Sequence, residues 1–276
     1  MDSKYIIGII VALIVIVGAY MVLAGGSNQN TINIAGSTSV QPVAEKLAQA
    51  YMAKNPNVKI NVQGGGTSVG IKSAQQGTAQ IGTASSKPKE NDSQGLVQTQ
   101  IAKDGIVVVV NNANSISDLT INQTKDIFSG NVTEWTKVSG ASGGAINVIT
   151  REDGSGTRDG FQSMVMGGKN GTPILKTAVV QSSTEAIVQA VKGNPNAIGY
   201  ISLDALNGDV KAVKINGVSP SEQTVSDGSY KITRPFIFLT KGDPTGEVKK
   251  FIDWVMSPEG QSIVKEAGAV PVGPTQ

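Results

Sequence analysis

Residues 32–51, INIAGSTSVQPVAEKLAQAY, change structural period midway. Ile32 to Ala35 reads as a β-strand and Gly36 to Ser39 as a turn. Val43, Leu47 and Tyr51, spaced i, i+4, i+8, then mark the apolar stripe of a helix. The same theme recurs outward along the chain. Val58 to Val62 alternates as a strand before Gly64 to Thr67 and a short helix through Gln76. Gln80 to Thr83 is a third strand, and a polar loop runs from Ser85 to Gln94. Ile106 to Val110 is an unbroken apolar run, as expected of a strand buried on both faces of a parallel sheet. Further strands are expected at 146–150, 197–201 and 236–239, with helices near 157–166, 184–191, 246–255 and 258–266. Strands alternating with helices predict an α/β architecture with parallel sheets.

Three of the turns share a chemistry. Gly36-Ser37-Thr38-Ser39, Gly64-Gly65-Gly66-Thr67-Ser68 and Asp153-Gly154-Ser155-Gly156-Thr157 each lie between a strand and a helix. Each therefore sets backbone N–H groups and hydroxyls at the positive end of a helix, an arrangement that suits an anion. Any one of them fits equally well as an ordinary Ser/Thr cap with glycine for a tight turn. The third also follows Arg151, one of three arginines in the chain, whose guanidinium can hold an oxyanion in a two-pronged contact.

Composition excludes many other chemistries. The 276 residues contain no histidine and no cysteine, which removes Ser-His-Asp hydrolysis, imidazole and thiolate metal sites, disulfides and lipid attachment through cysteine. A formal charge of +2, from 23 basic and 21 acidic residues, is too balanced for an electrostatic nucleic-acid binder. Aromatic residues are 4% of the chain, so stacking platforms for bases or sugars are scarce. Gly64 to Lys72 (GGGTSVGIK) misses the P-loop pattern, because Ile71 separates Gly70 from Lys72. No G-x-G-x-x-G follows a strand. Ser85, Ser86 and Lys87 are adjacent, but the S-x-x-K spacing of Ser-Lys hydrolases is absent.

The N-terminus addresses location. Tyr5 to Ala24 carries no charge and follows Lys4, long enough to cross a hydrocarbon core of roughly 30 Å with the Lys4 side cytoplasmic. A membrane anchor is the favoured expectation; a signal peptide cleaved after Val22-Leu23-Ala24 is the alternative. Either way the remainder is expected outside the cytoplasm, at the cell surface or secreted. Gly25 to Thr31 (GGSNQNT) reads as a flexible tether.

The segments R-E-D-G-S-G-T at 151–157, A-G-S-T-S-V-Q-P at 35–42, Q-G-G-G-T-S-V-G at 63–70 and I-F-S-G-N-V-T-E-W at 127–135 together resemble the phosphate ABC-transporter substrate-binding protein family. The likeness runs from about Thr31 to Gln276 and takes in A-I-G-Y-I-S at 197–202 and R-P-F at 234–236. It implies a two-lobed periplasmic-binding-protein-like fold, each lobe a mainly parallel sheet flanked by helices, preceded here by a hydrophobic N-terminal helix. The segmentation expected is 1–28 for anchor and tether, 29–110 with 236–276 for the first lobe, and 111–235 for the second. The lobes would close over one phosphate ion and hand it to an ABC permease. No catalysis, cofactor, metal or nucleic acid is implied, and a monomer is expected.

Carried over position by position, the resemblance implies a phosphate shell of Thr38, Ser39, Thr67, Ser85, Arg151, Ser155, Gly156 and Thr157. Some family members have an aspartate where this chain has Ser85, and that aspartate accepts the proton of hydrogen phosphate. Asp153 is expected to orient the Arg151 guanidinium, a solvated loop carboxylate being the alternative. Trp135 and Trp254 are read as packing residues, Lys87, Lys89 and Glu90 as a solvated loop, and Ser182, Ser183 and Thr184 as a helix cap. Other readings of the same pocket are a binder of sulfate, molybdate or tungstate, or a secreted phosphatase or Ser hydrolase.

Overall fold

The computed structural model describes residues 30–275, in which Ile32 and Ile34 turn inward from β1 (Asn30–Gly36) while Thr31 faces solvent. The expected hydrophobic N-terminal helix lies outside the described residues. Among the described residues no helix is long and apolar enough to cross a membrane. After β1 the chain enters α1 (Gln41–Lys54), which has Pro42 in its first turn and buries Val43, Ala44, Leu47, Ala48 and Tyr51. Proline suits that position because the first N–H groups of a helix lack intrahelical partners in any case. β2 (Val58–Gly64) and β3 (Ile81–Ala84) then pair parallel to β1 on either side, with α2 (Thr67–Gln76) between them. Gly77 ends α2 in the left-handed conformation at φ 72°, which glycine adopts without a Cβ penalty.

Two long strands carry the sheet through the molecule. β4 (Leu96–Asn111) spans 16 residues and pairs antiparallel with β11 (Thr233–Lys241) over most of the latter's length. Beyond them lie β8 (Ala197–Ser202), β6 (Asn147–Arg151) and the edge strand β7 (Val179–Gln181). The order is β2-β1-β3-β11-β4-β8-β6-β7. β9 (Val210–Ala212) and β12 (Val270–Pro271) pair with β4 off this path, and β5 (Asp118–Leu119) pairs with β10 (Lys214–Ile215) in a separate small sheet. Parallel pairing is thus confined to the two wings, and the centre is antiparallel. The expectation that Ile106–Val110 belongs to a parallel pairing is corrected here: these residues face β8 antiparallel. An apolar run reports burial on both faces and carries no information about strand direction.

Helices flank both wings. α3 (Ile121–Ser129), opened by a Thr120/Gln123 capping box and closed by Gly130, α4 (Gly156–Met164), α5 (Thr184–Lys192) and the short α6 (Glu222–Ser226) belong to the second half. α7 (Gly246–Val255) and α8 (Pro258–Glu266) return to the first wing, where Phe251, Ile252, Val255 and Val264 pack with Ile32, Leu47 and Phe238. The cores change over along the two long strands. Ile101 and Ala102 join the first core and Ile106, Val108 and Val110 the second; at the other long strand, Ile232, just before β11, joins the second and Phe236, within it, the first. The change on β4 therefore comes a few residues before Val110. Trp135 is fully buried and donates its indole N–H to Asn196 O, and Trp254 packs on Tyr51 and Phe251.

Candidate anion-binding site

The carboxyl ends of β1, β2, β3, β6 and β7 open toward one region, the position where ligands settle in open α/β sheets. Four helices, α1, α2, α4 and α5, begin there. Their first-turn N–H groups have no acceptor inside the helix, and the positive ends of the helix dipoles lie at this region. The α4 start is fixed by Ser155, whose hydroxyl accepts from Arg158 N, and the α5 start by Ser183, whose hydroxyl accepts from Ala186 N. Each cap oxygen that accepts a backbone N–H keeps its own proton free to donate.

Hydroxyls from the two wings meet directly. Ser39 Oγ lies 2.9 Å from Thr157 Oγ1 and 3.1 Å from Thr184 Oγ1. Arg151 donates to Thr38 Oγ1 at 3.1 Å and to Thr184 Oγ1 at 3.3 Å. Ser68 N donates to Gly154 O at 3.1 Å across the same seam. On the first wing, Ser85 N donates to Thr67 Oγ1 at 3.1 Å and Ser37 Oγ donates to Ser85 Oγ at 2.9 Å. Gly156 comes so near this pair that a methyl group on its Cα would run into Thr67 Oγ1 and Ser85 Oγ. Ser37, Ser39, Thr67, Ser85, Arg151, Ser155, Thr157 and Thr184 are all buried. So many hydroxyls in a dry place make a cage whose groups donate readily and whose protons can rotate to suit a ligand.

The charges around the cage are ordered in pairs. Arg151, with its side chain 2% exposed, forms a two-pronged contact to Glu152, Nε to Oε2 and Nη2 to Oε1 both at 2.8 Å. Tyr200 OH supports the same strand end, bonding Thr150 Oγ1 at 2.7 Å and accepting from Arg151 N. Deeper in, Arg234 Nε donates to Asp104 Oδ2 at 2.7 Å and Arg234 Nη1 to Thr157 Oγ1 at 2.6 Å. Asp204 lies beside this pair with its carboxyl buried next to Ser202. Burial pushes both carboxyls up; at Asp104 the Arg234 guanidinium and the Leu203 N–H oppose it. Asp204 also feels the Asp104 charge and is pushed up to about 8. A groove of about 860 Å³ opens next to the cage, with Thr67, Ser68, Lys87, Lys89, Arg158 and Lys169 in its walls. Among the described residues no group of three Asp, Glu, His or Cys side chains is placed to hold a metal ion.

The structure brings Thr38, Ser39, Thr67, Ser85, Arg151, Gly156 and Thr157 together, with Ser155 capping the helix that carries the last two. It does not place Asp153 on Arg151. Asp153 is 97% exposed and pairs with Arg158 at 2.8 Å, while its neighbour Glu152 holds Arg151. Thr184, read as part of a cap, lies inside the cage, and Ser183 alone serves as the cap. Asp104 was missed, and Ser37 and Arg234, though named in their segments, were not assigned to the site. Arg234 had a usable signal: it is one of three arginines in the chain and stands in the R-P-F segment.

Residues 23–259 match the PBP superfamily domain. Phosphate-binding protein PstS of Bacillus subtilis is 32% identical over 247 residues, covering 88% of this chain and 81% of that one. The crystal structure of a phosphate ABC transporter substrate-binding protein from Clostridium perfringens, solved with bound phosphate, is 41% identical and superposes with a TM-score of 0.84 over 88% of this chain and all of the other. An ABC-type phosphate transport receptor from Vibrio cholerae is 32% identical, with a TM-score of 0.71 over 87% of this chain and 99% of its own. With the family domain and full-length relatives both matched, the chain belongs to the phosphate ABC-transporter substrate-binding proteins.

Proposed function

We propose that this protein captures inorganic phosphate in the hydroxyl cage between its two wings and delivers it to an ABC permease. The observation that carries the reading is the set of contacts that cross the seam, Ser39 to Thr157, Ser39 to Thr184 and Thr38 to Arg151, which place donors from both wings around one point. An anion entering this point replaces those hydroxyl contacts with stronger ones to its own oxygens, since hydrogen bonds to a charged acceptor are roughly twice as strong as neutral ones. Helix N-termini and Arg151 offset its burial. Thr38, Ser39, Thr67, Ser85, Arg151, Ser155, Gly156 and Thr157 form the shell, and Thr184 joins them. Asp153 is outside it.

The wings act as two lobes joined by β4 and β11, and the hinge is assigned to residues 103–105 and 233–235 because the cores change over there. Closure removes the ion from water and opening releases it at the permease. Such a cycle is binding without catalysis. The hydrophobic segment from Tyr5 to Ala24 keeps the binding lobes at the outer membrane face or exports them after cleavage, and the protein works as a monomer.

Calorimetric titration of the purified chain with phosphate tests the reading. Wild type is expected to give one saturable site, and Arg151→Ala to lose about 2 to 5 kcal/mol of binding, as when one partner of a desolvated charge pair is removed. Unchanged affinity in Arg151→Ala would remove the site from the cage. Release of phosphate from phosphate esters would favour a phosphatase, and tighter sulfate, molybdate or tungstate binding would reassign the ligand.

A further inference from the structure

We propose that Arg234 is a positioning residue for the anion cage: clamped by Asp104 across the two long strands, it commits the Thr157 hydroxyl to donate toward the ligand. The inference rests on the function proposed above. Arg234 is buried and comes from β11, and Asp104, fully buried, faces it from β4 in the strand register. Asp104 accepts on both oxygens, from Arg234 Nε at 2.7 Å and from Leu203 N at 2.9 Å, so its orientation is set from two elements. The Arg234 guanidinium also lies over the Phe236 ring, 5.4 Å from its centroid. These contacts hold the fork rigid and direct Nη1 onto Thr157 Oγ1 at 2.6 Å.

The consequence is chemical. Guanidinium nitrogens only donate, so Thr157 Oγ1 accepts from Arg234. Its own proton points away from Arg234, into the cage where Ser39 Oγ stands 2.9 Å away, and is free to turn to a ligand oxygen. Arg151 does the same to Thr38 and Thr184 from the opposite side. Three hydroxyls thus have a lone pair engaged by a cation behind them and a proton left to offer the cage. Such a cage favours a ligand whose oxygens are all acceptors at these positions. The placement also joins site and strands: Arg234 and Asp104 sit where the cores change over, so bending there carries Thr157 with it.

The test is a double-mutant cycle on the full chain, read by calorimetric titration with inorganic phosphate. Arg234→Lys keeps the charge but not the fork; Thr157→Val keeps the shape but not the hydroxyl. Each single change is expected to weaken phosphate about tenfold or more, and the pair to be no weaker than Thr157→Val alone, as for residues acting through one interaction. Additive losses would overturn the proposal. Should Arg234→Lys not fold, Asp104→Asn with Arg234→Gln replaces the ion pair by a neutral amide pair and leaves no lone buried charge. That double variant is expected to keep its melting temperature closer to wild type and still lose about tenfold in affinity. Affinity within about twofold of wild type would also overturn the proposal. Failure of wild type itself to bind phosphate would instead overturn the function assigned to the cage, and with it the premise here.

Discussion

Ser39 Oγ and Thr157 Oγ1 stand 2.9 Å apart although 118 positions separate them in the chain. Each sits at the start of a helix that follows a parallel strand, one from each wing. Their meeting defines the seam at which an anion can touch both halves at once. Closure and binding then become the same event, and disturbance of the seam should affect affinity more than stability.

Gly156→Ala tests that distinction. Alanine favours the helix that begins at Gly156, but its methyl group would collide with Thr67 Oγ1 and Ser85 Oγ from the other wing. Phosphate affinity should fall at least about tenfold while the melting temperature drops only modestly, because the overlap is relieved when the wings part and the helix itself gains about 0.4 to 1 kcal/mol from Gly→Ala. Titration and thermal melting of the same preparation would check both halves, and wild-type affinity would contradict the closed seam.

The two acids after Arg151 should behave differently. Glu152 grips the guanidinium at both prongs, whereas Asp153 is solvent-exposed and paired with Arg158. Glu152→Gln should weaken phosphate and sulfate by a similar factor, on the order of tenfold, because the fork loses its fixed partner. Asp153→Asn should change either by less than about twofold, as expected for an exposed pair. The reverse ranking in competition titrations would restore Asp153 to the orienting role.

Much of this site was legible because its signals are local. The Gly/Ser/Thr turns lie within a few residues of the strands and helices they join, and the Val43, Leu47, Tyr51 stripe is visible in one short window. What escaped depends on direction or distance. Neighbouring residues in a turn point apart, so sequence alone did not separate Glu152 from Asp153. Thr184 follows the capping Ser183 and was absorbed into the cap reading. The Arg234 to Asp104 pair spans 130 positions and exists only through the register of two antiparallel strands. The first half of β4, LVQTQIAKDG at 96–105, alternates polar and apolar residues more faintly than its apolar second half, and only 106–110 stood out as strand.

Selectivity should follow the residue at position 85. Ser85 Oγ already accepts from Ser37, and it offers no fixed negative charge to the proton of hydrogen phosphate. Wild type should therefore reject sulfate only modestly. Ser85→Asp should widen the preference for phosphate, because a carboxylate only accepts and is left unpaired by sulfate. Equal phosphate-to-sulfate ratios in the two proteins would move position 85 out of the ligand shell.

Asp204 predicts a pH signature in stability. Its carboxyl is held up to about 8 in the folded protein by burial and by the Asp104 charge, against about 3.9 in an unfolded chain. The folded state thus keeps a proton that the unfolded state releases, and stability drains away as pH rises from about 4 through about 8. Asp204→Asn should lose that slope. Urea unfolding of both proteins at about pH 5 and about pH 9 should show the variant gaining on wild type at the higher pH; parallel profiles would mean that Asp204 is ionised throughout.

The central claim is that the anion lies between Ser39 and Thr157. Arsenate has the shape and charge of phosphate, and its arsenic scatters X-rays anomalously, so crystals grown with arsenate locate the ion independently of any assumption about the cage. The account predicts one anomalous peak within hydrogen-bonding reach, through its oxygens, of Ser39, Arg151 and Thr157, with the direct Ser39 to Thr157 contact replaced. A peak confined to the groove beside Lys87, Lys89 and Lys169, or no peak in crystals that diffract well, would contradict it.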